Sequence, residues 1–373
     1  MRHHFISLAS ILIITISCQT KGEKDDFPEL LDLVIVDSSL VKEEHFFMNV
    51  PAKVELIGDS LLAVSSNRTP AVGIIRKNGE QMGNIASGDF PIGAFMPSSF
   101  DISEYPIVYI IDRRSQSVLV FNVATQEFIE KIRLNLPEDK IVRTIGAEFK
   151  KTENGFLVEL YDQKHDAYLP DFYRNSGDLL YFFDNNGEFQ KSIMEYPEEY
   201  KAMEGSLSPT NYFKMSDNNQ TIRLSFPHSK KLHRYTNTGE ELEQIDLPPS
   251  RVFDYQLKAA DRIIDFNSVM AGENQSTKTP DNHYFNSIYE NEKSIYIQTW
   301  MKIGEGGIQK TRFAHLMVYN KKEEKWYESQ NPKGILDIGM LAGVVRDTLY
   351  FYEGSMMKYD DKYIKRAVLR SID

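Results

Sequence analysis

The stretch YFFDNNGEFQKSI, Tyr181–Ile193, has strand-forming residues on both sides of a polar segment that ends in Asn-Gly-Glu, the pattern of a tight β-hairpin. The pattern recurs along the chain. HRYTNTGEELEQI puts Tyr235 where Phe183 stands, and GIIRKNGEQMGNI carries the turn Lys77-Asn78-Gly79-Glu80. Looser versions are LVFNVATQEFIEKI around Phe121, LMVYNKKEEKWYES around Tyr319 and MMKYDDKYIKRAVL around Tyr359. The six anchors, at 75, 121, 183, 235, 319 and 359, are separated by 40 to 84 residues. In the units ending at Ile75, Phe121, Tyr235 and Tyr359 an earlier strand stops nine residues before the anchor, with a short polar turn between. Each unit therefore holds at least three meandering strands. Further strand-like runs such as FLVEL and IYIQTW lie between units. The expectation is an all-β chain folded as a six-bladed β-propeller of four-stranded antiparallel blades, because radial repetition shields most sheet edges. A β-sandwich has no need of one hairpin six times, and a parallel β-helix requires shorter, stricter periods. LDLVIVDSSL, Leu31–Leu40, stands outside the six units and is expected to pair with the last blade, closing the ring.

At 373 residues the chain has room for one large domain or two ordinary ones, and 41% hydrophobic residues supply a sizeable core. The first 17 residues read as an export signal: Arg2 gives the positive start, and Phe5–Ile16 is an apolar run too short for a comfortable membrane span. The run ends at Cys18, the one cysteine of the chain. Ile16-Ser17-Cys18 resembles the lipobox of bacterial lipoproteins, with Thr15 where leucine is usual, and an acyl anchor on Cys18 accounts for both its position and its solitude. An ordinary signal peptide followed by an incidental cysteine is the alternative. Residues 18–30 read as a flexible acidic tether, and 31–373 as a single propeller domain. Glu23-Lys24-Asp25-Asp26 is similar to acidic surface-export signals, or is simply a solvated linker. With 54 acidic against 43 basic residues, the chain is a poor candidate for nucleic acid or for electrostatic attachment to anionic lipid.

Taken together, Ile16-Ser17-Cys18, GNIASGDFPIGAF, IMEYPEEY and LSFPHSKKLHRY resemble the exported six-bladed propeller lipoproteins, TolB-like or of unknown function, of bacteria with an outer membrane. The resemblance implies the fold and an outer-membrane location, periplasmic or surface-facing. It carries no catalytic motif.

In a four-stranded meander the first and third turns share one end of the sheet, and the second turn and the crossing to the next unit share the other. The long connections fall in the second class: Asp162–Asp178, Met301–Arg312, Tyr196–Thr210 and Ser250–Asn282. Long loops inside compact domains are usually functional or disordered, so the loop-rich end is the expected working face. DQKHDAYLPDFYRNSGD offers His165, Asp166, Tyr168, Asp171, Tyr173 and Arg174, able to hydrogen-bond and stack on a polar or carbohydrate ligand, or else to pack on their own sheet. Asp112-Arg113-Arg114 and Asn67-Arg68 lie in short turns at the same end, where Asp and Asn also serve as turn caps.

The sequence contains no nucleophile elbow, zinc-protease helix, phosphate-binding loop or dinucleotide fingerprint. His228 and His233 lack a third ligand at metal spacing, so no metal and no cofactor are expected. The leading reading is a monomeric, lipid-anchored binding or interaction module for a carbohydrate, a peptide or an envelope protein. The alternative is an envelope lyase or hydrolase acting on a carbohydrate or cell-wall fragment, with acids, His or Tyr gathered at the propeller channel.

Overall fold

The computed structural model describes residues 27–43, 48, 51–66, 69–88, 93–144, 146–165, 169, 171–205, 207, 214–217, 221–259, 282–303, 311–354 and 360–372. Strand β1 (Glu29–Leu40) comes first, followed by the meander β2 (Pro51–Ile57), β3 (Leu61–Ser66), β4 (Ala71–Arg76) and β5 (Gln81–Ala86). A second meander is β6 (Pro97–Asp101), β7 (Ile107–Asp112), β8 (Ser117–Asn122) and β9 (Glu127–Arg133). The third group is β10 (Lys140–Val142), β11 (Phe149–Thr152), β12 (Gly155–Asp162), β13 (Leu180–Asp184) and β14 (Phe189–Ile193), and the fourth is β15 (Lys214–Asp217), β16 (Thr221–Phe226), β17 (Lys231–Thr236) and β18 (Glu241–Asp246). The chain ends with β19 (Tyr284–Glu290), β20 (Ser294–Ile303), β21 (Thr311–Asn320), β22 (Lys325–Ser329), the short β23 (Lys333–Gly334), β24 (Met340–Val345), β25 (Thr348–Glu353) and β26 (Tyr363–Ser371).

Three of these groups are separate four-stranded sheets, one is five-stranded, and the remaining strands form one sheet of nine. That large sheet contains two antiparallel meanders joined where Glu29–Leu31 of β1 runs parallel to Tyr327–Ser329 of β22. The inner strands of neighbouring sheets touch in sequence, β24 to β2, β2 to β6, β6 to β11, and β15 to β19 to β24. The architecture is all-β and propeller-like. Apolar layers alternate with the sheets. One layer packs Ala63, Val72 and Ile74 against Val108, Ile110 and Phe121, and the next packs Tyr109, Val118 and Val120 against Phe156, Val158 and Phe183. Another joins Val54, Leu62 and Ile75 to Met340, Tyr350 and Ile364, which brings the two ends of the chain together.

The hairpins expected from sequence form, and their anchors mark a shared irregularity. The ladder slips by one residue at Ile74/Ile75, Val120/Phe121, Phe182/Phe183 and Arg234/Tyr235, so four anchor residues sit at the same bulge in the same third strand. The turn demands a left-handed residue before the outer strand. Gly79, Gly187 and Gly239 supply it with φ of +88°, +84° and +84°, while Gln126 and Glu324 adopt +56° and +51° in the looser copies. Two of these turns also join sheets. The Lys42 amide donates to the Gly79 carbonyl and the Asn135 amide to the Gly187 carbonyl, both at 2.8 Å, each linking the end of one outer strand to the turn of the next sheet. A methyl group on Gly187 would collide with the Arg133 backbone, so glycine is needed there for closeness as well as for φ.

Two expectations need correction. The sixth hairpin is not a third and fourth strand joined by a turn: β26 pairs with β25 on one side and with β1 on the other, from Leu31↔Ser371 to Leu40↔Tyr363. Its outer strand thus comes from the start of the chain, and Tyr359 lies outside the described residues. The third group has five strands because its inner position is split. β10 and β11 both pair with β12, at its end and its beginning, with Arg143 and Glu148 on the connection between them.

Candidate ligand site in the central cavity

Six inner strands, β2, β6, β11, β15, β19 and β24, contribute side chains to one cavity of about 650 Å³. Strands alternate their side chains between faces, but an innermost strand also presents its free edge and its pleat to the axis. Polar residues on such a strand face a shared cavity instead of bulk water. Five segments of the wall carry charge. Lys53 and Glu55 come from β2, Asp101 from β6, Glu148 from the residue just before β11, Lys150 from β11 itself, and Lys214 from β15. The opposite wall, from β19 and β24, presents Ile288, Tyr289, Met340, Leu341 and Ala342.

The charged wall is built from within. Glu159 of β12 is fully buried, and its carboxylate receives the Arg143 guanidinium at 2.8 Å and the Glu148 amide at 2.9 Å. The Glu159 amide returns a bond to the Glu148 carbonyl at 2.8 Å. One buried carboxylate thus holds Arg143 and Glu148, on the connection between β10 and β11, and fixes where Glu148 enters the cavity. There the Glu148 carboxylate meets the Lys214 ammonium at 3.0 Å and accepts the Met215 amide at 3.3 Å. Lys53 lies 3.0 Å from Glu55 and donates to the Phe100 carbonyl at 2.6 Å. Burial works to lower the Lys53 pKa, but Glu55, Asp101 and Glu148 outweigh it and hold the ammonium above its usual value. Asp101 accepts the Ser103 amide and hydroxyl at 2.9 and 2.6 Å. Among the described residues, the buried hydroxyls of Ser99 and Ser287, both on the cavity wall, find no hydrogen-bond partner in the chain.

The residues singled out from sequence are elsewhere. Asp112 is buried as a turn cap, taking the amides of Met96, Arg114 and Ser115 at 2.8, 3.1 and 3.1 Å. Arg113 donates to the Thr144 carbonyl at 2.7 Å, and Arg114 is exposed. His165 rests against Asp162 at 3.1 Å, and Asp162 is paired with Lys140 at the same distance. Asp171 is exposed at the start of helix α1 (Phe172–Asn175). Tyr173 is buried, its ring edge-on to Phe172 and Tyr196 and packed near Tyr200, so its area serves the core. Arg174 reaches the Lys201 carbonyl in helix α2 (Glu198–Lys201), which shows that two of the long connections meet at one end of the molecule. Cys18, Asn67, Arg68, Asp166 and Tyr168 lie outside the described residues. His228 is buried against the Tyr255 carbonyl at 2.7 Å and His233 lies 2.7 Å from Glu241, so each histidine has a local partner.

Loop length points away from the cavity residues, which lie on inner strands. A signal is present: AKVEL puts Lys53 and Glu55 two residues apart in an otherwise apolar strand, and AEFK puts Glu148 and Lys150 two residues apart on either side of Phe149. Such a pattern on a first strand of each unit faces the axis.

Searches of the sequence against protein families and against curated proteins find no match. Among solved structures, a member of the duf4221 family from Bacteroides vulgatus superposes with a TM-score of 0.67 at 12% identity, over 92% of this chain and 100% of that one. A second protein, from Bacteroides fragilis and named as an expected export, gives a TM-score of 0.55 at 14% identity, over 93% of this chain and 99% of its own. At such identity the likeness is one of fold, and it spans nearly the whole of all three chains.

Proposed function

We propose that the protein is an exported, lipid-anchored six-bladed β-propeller of the cell envelope that binds a small polar ligand in its central cavity. The observation that carries the binding reading is the cavity of about 650 Å³ shared by six inner strands, with charged groups on one wall, within the usual size range of small-molecule sites. Six blades follow if the nine-stranded sheet is divided at its parallel β1–β22 contact. The six inner strands around one cavity support that division. Export and the anchor rest on the apolar run before Cys18 and on the solitude of that cysteine. Among the described residues no helix is long and apolar enough to cross a membrane. The loop-rich end, with Arg113, Arg114, His165, Asp171 and Arg174, is the second candidate surface and suits an envelope partner.

A panel of amino acids, short peptides and disaccharides, screened by thermal shift, tests the site. Ser60 is exposed on the cavity rim, and Ser60→Trp places an indole across the mouth. At least one compound should raise the wild-type midpoint, and Ser60→Trp should abolish the shift, while Arg174→Ala leaves it intact. A shift that survives Ser60→Trp and disappears in Arg174→Ala would move the site to the loops. Asp101 and Glu148 in the same cavity favour a second reading, the envelope hydrolase or lyase. That reading requires the probe to be consumed, with turnover lost in Asp101→Asn.

A further inference from the structure

The cavity has two unlike walls. On one side three lysines and three acids, Lys53, Lys150, Lys214, Glu55, Asp101 and Glu148, balance in charge. On the other, Ile288, Met340, Leu341 and Ala342 are apolar, the Tyr289 hydroxyl is already committed to the Val344 carbonyl at 3.2 Å, and the polar residues of that side, Asn286 and Ser287, have the Asn286 amide donating to the Gln298 side chain at 3.2 Å and the Ser287 hydroxyl buried. A simple anion or cation would meet as many like charges as unlike ones, and like-charge contact inside a cavity is costly. A neutral sugar would leave the apolar wall uncovered and the ion pairs unused.

From this we infer that the ligand is a small amphipathic zwitterion: a free amino acid or short peptide with an apolar side chain. The inference rests on the cavity being the binding site. The ligand ammonium is received by carboxylates of the Asp101 and Glu148 side, and its carboxylate by Lys53 and Lys214. The apolar side chain covers β19 and β24. Lys214 and Glu148 are 3.0 Å apart and retain some exposure, so a zwitterion inserted between them exchanges one ion pair for two.

Leucyl-leucine is the probe, titrated calorimetrically into the full-length protein in detergent. Acetylating its amine or amidating its carboxyl should weaken binding about tenfold or more each, and glycyl-glycine should bind about tenfold more weakly for want of the apolar contact. Lys214→Met should weaken leucyl-leucine about tenfold while leaving its amide unchanged, and Lys214→Arg should restore most of the affinity, which separates charge recognition from a folding defect. Capped and uncapped peptides binding alike overturns the inference. Binding of maltose but not of leucyl-leucine, blocked by Ser60→Trp, also overturns it and leaves the cavity as the site. If none of these probes binds in a manner that Ser60→Trp blocks, both the inference and the cavity reading fall.

Discussion

Replacing Glu290 by glutamine is expected to lower folding stability by about 3–5 kcal/mol, because it strands a buried positive charge. Arg223 of β16 is 1% exposed, and its guanidinium grips the Glu290 carboxylate at 3.0 and 3.1 Å. Lys321, just after β21, adds a third contact at 2.7 Å. This network ties the fourth sheet to the nine-stranded one, so its loss opens a seam of the ring. With the carboxylate neutral, the remaining anionic contact of Arg223 is with Glu243, at 3.3 Å and partly exposed to water. Urea unfolding should show a lower midpoint at unchanged slope. The double change Arg223→Met with Glu290→Met should recover most of the loss, since apolar replacement of both partners removes the stranded charge. A loss under about 1 kcal/mol for Glu290→Gln would contradict the reading, since truncating a well-buried ion pair normally exceeds it.

The same pair sets a pH signature. Burial pushes the Glu290 carboxyl up, but Arg223 and Lys321 outweigh it and hold the carboxyl below its ordinary value of 4.5. A carboxyl depressed in the folded state contributes stability above its unfolded pKa and loses it as the pH falls through the folded value. The gap between wild type and Glu290→Gln should therefore be full at neutral pH, begin to narrow as the pH falls below the ordinary value of 4.5, and close only once the pH passes the lower folded value, where the native carboxyl becomes protonated and resembles the amide.

Deleting residues 27–40 should abolish cooperative folding of the remainder. β1 occupies the outer edge of β26 along nearly its whole length and touches β22 at its own start. Its removal exposes two strand edges, withdraws buried Leu33 from the layer with Leu316, Phe351 and Ala367, and breaks the bond of 2.6 Å from Arg251 to the Pro28 carbonyl. Unpaired edges of that length aggregate. The truncated chain should be insoluble or lack a cooperative transition, and a synthetic peptide of residues 27–43 supplied during refolding should restore one. A truncated chain that unfolds cooperatively at the wild-type midpoint would show that β1 is an ornament and not a closure.

The hairpins were legible in the sequence because their chemistry is local. Glycine at 79, 187 and 239 meets a backbone demand within four residues of the anchor, and the anchors at 75, 121, 183 and 235 mark the ladder slip that follows. The pairing of Leu31–Leu40 with the last strand was legible too, as the one strand left over. The sixth hairpin was misread because MMKYDDKY imitates a turn between strands, whereas the true partner of β26 lies more than 320 residues away in sequence. Sequence spacing carries no information about that contact. The cavity was missed for the same reason, since Lys53, Asp101, Glu148 and Lys214 belong to four different units and are assembled by the ring alone. Tyr173 and Asp112 illustrate the opposite error: each belongs to a residue type suited to binding, and each is used up by packing or by turn geometry.

A crystal structure of the protein with leucyl-leucine measures the central claim most directly. The account predicts the peptide bound on the axis, its carboxylate within hydrogen-bond reach of Lys53 or Lys214 and its side chains on Met340 and Leu341. Peptide bound instead beside Arg174 or Arg113, with the cavity unchanged, would contradict it.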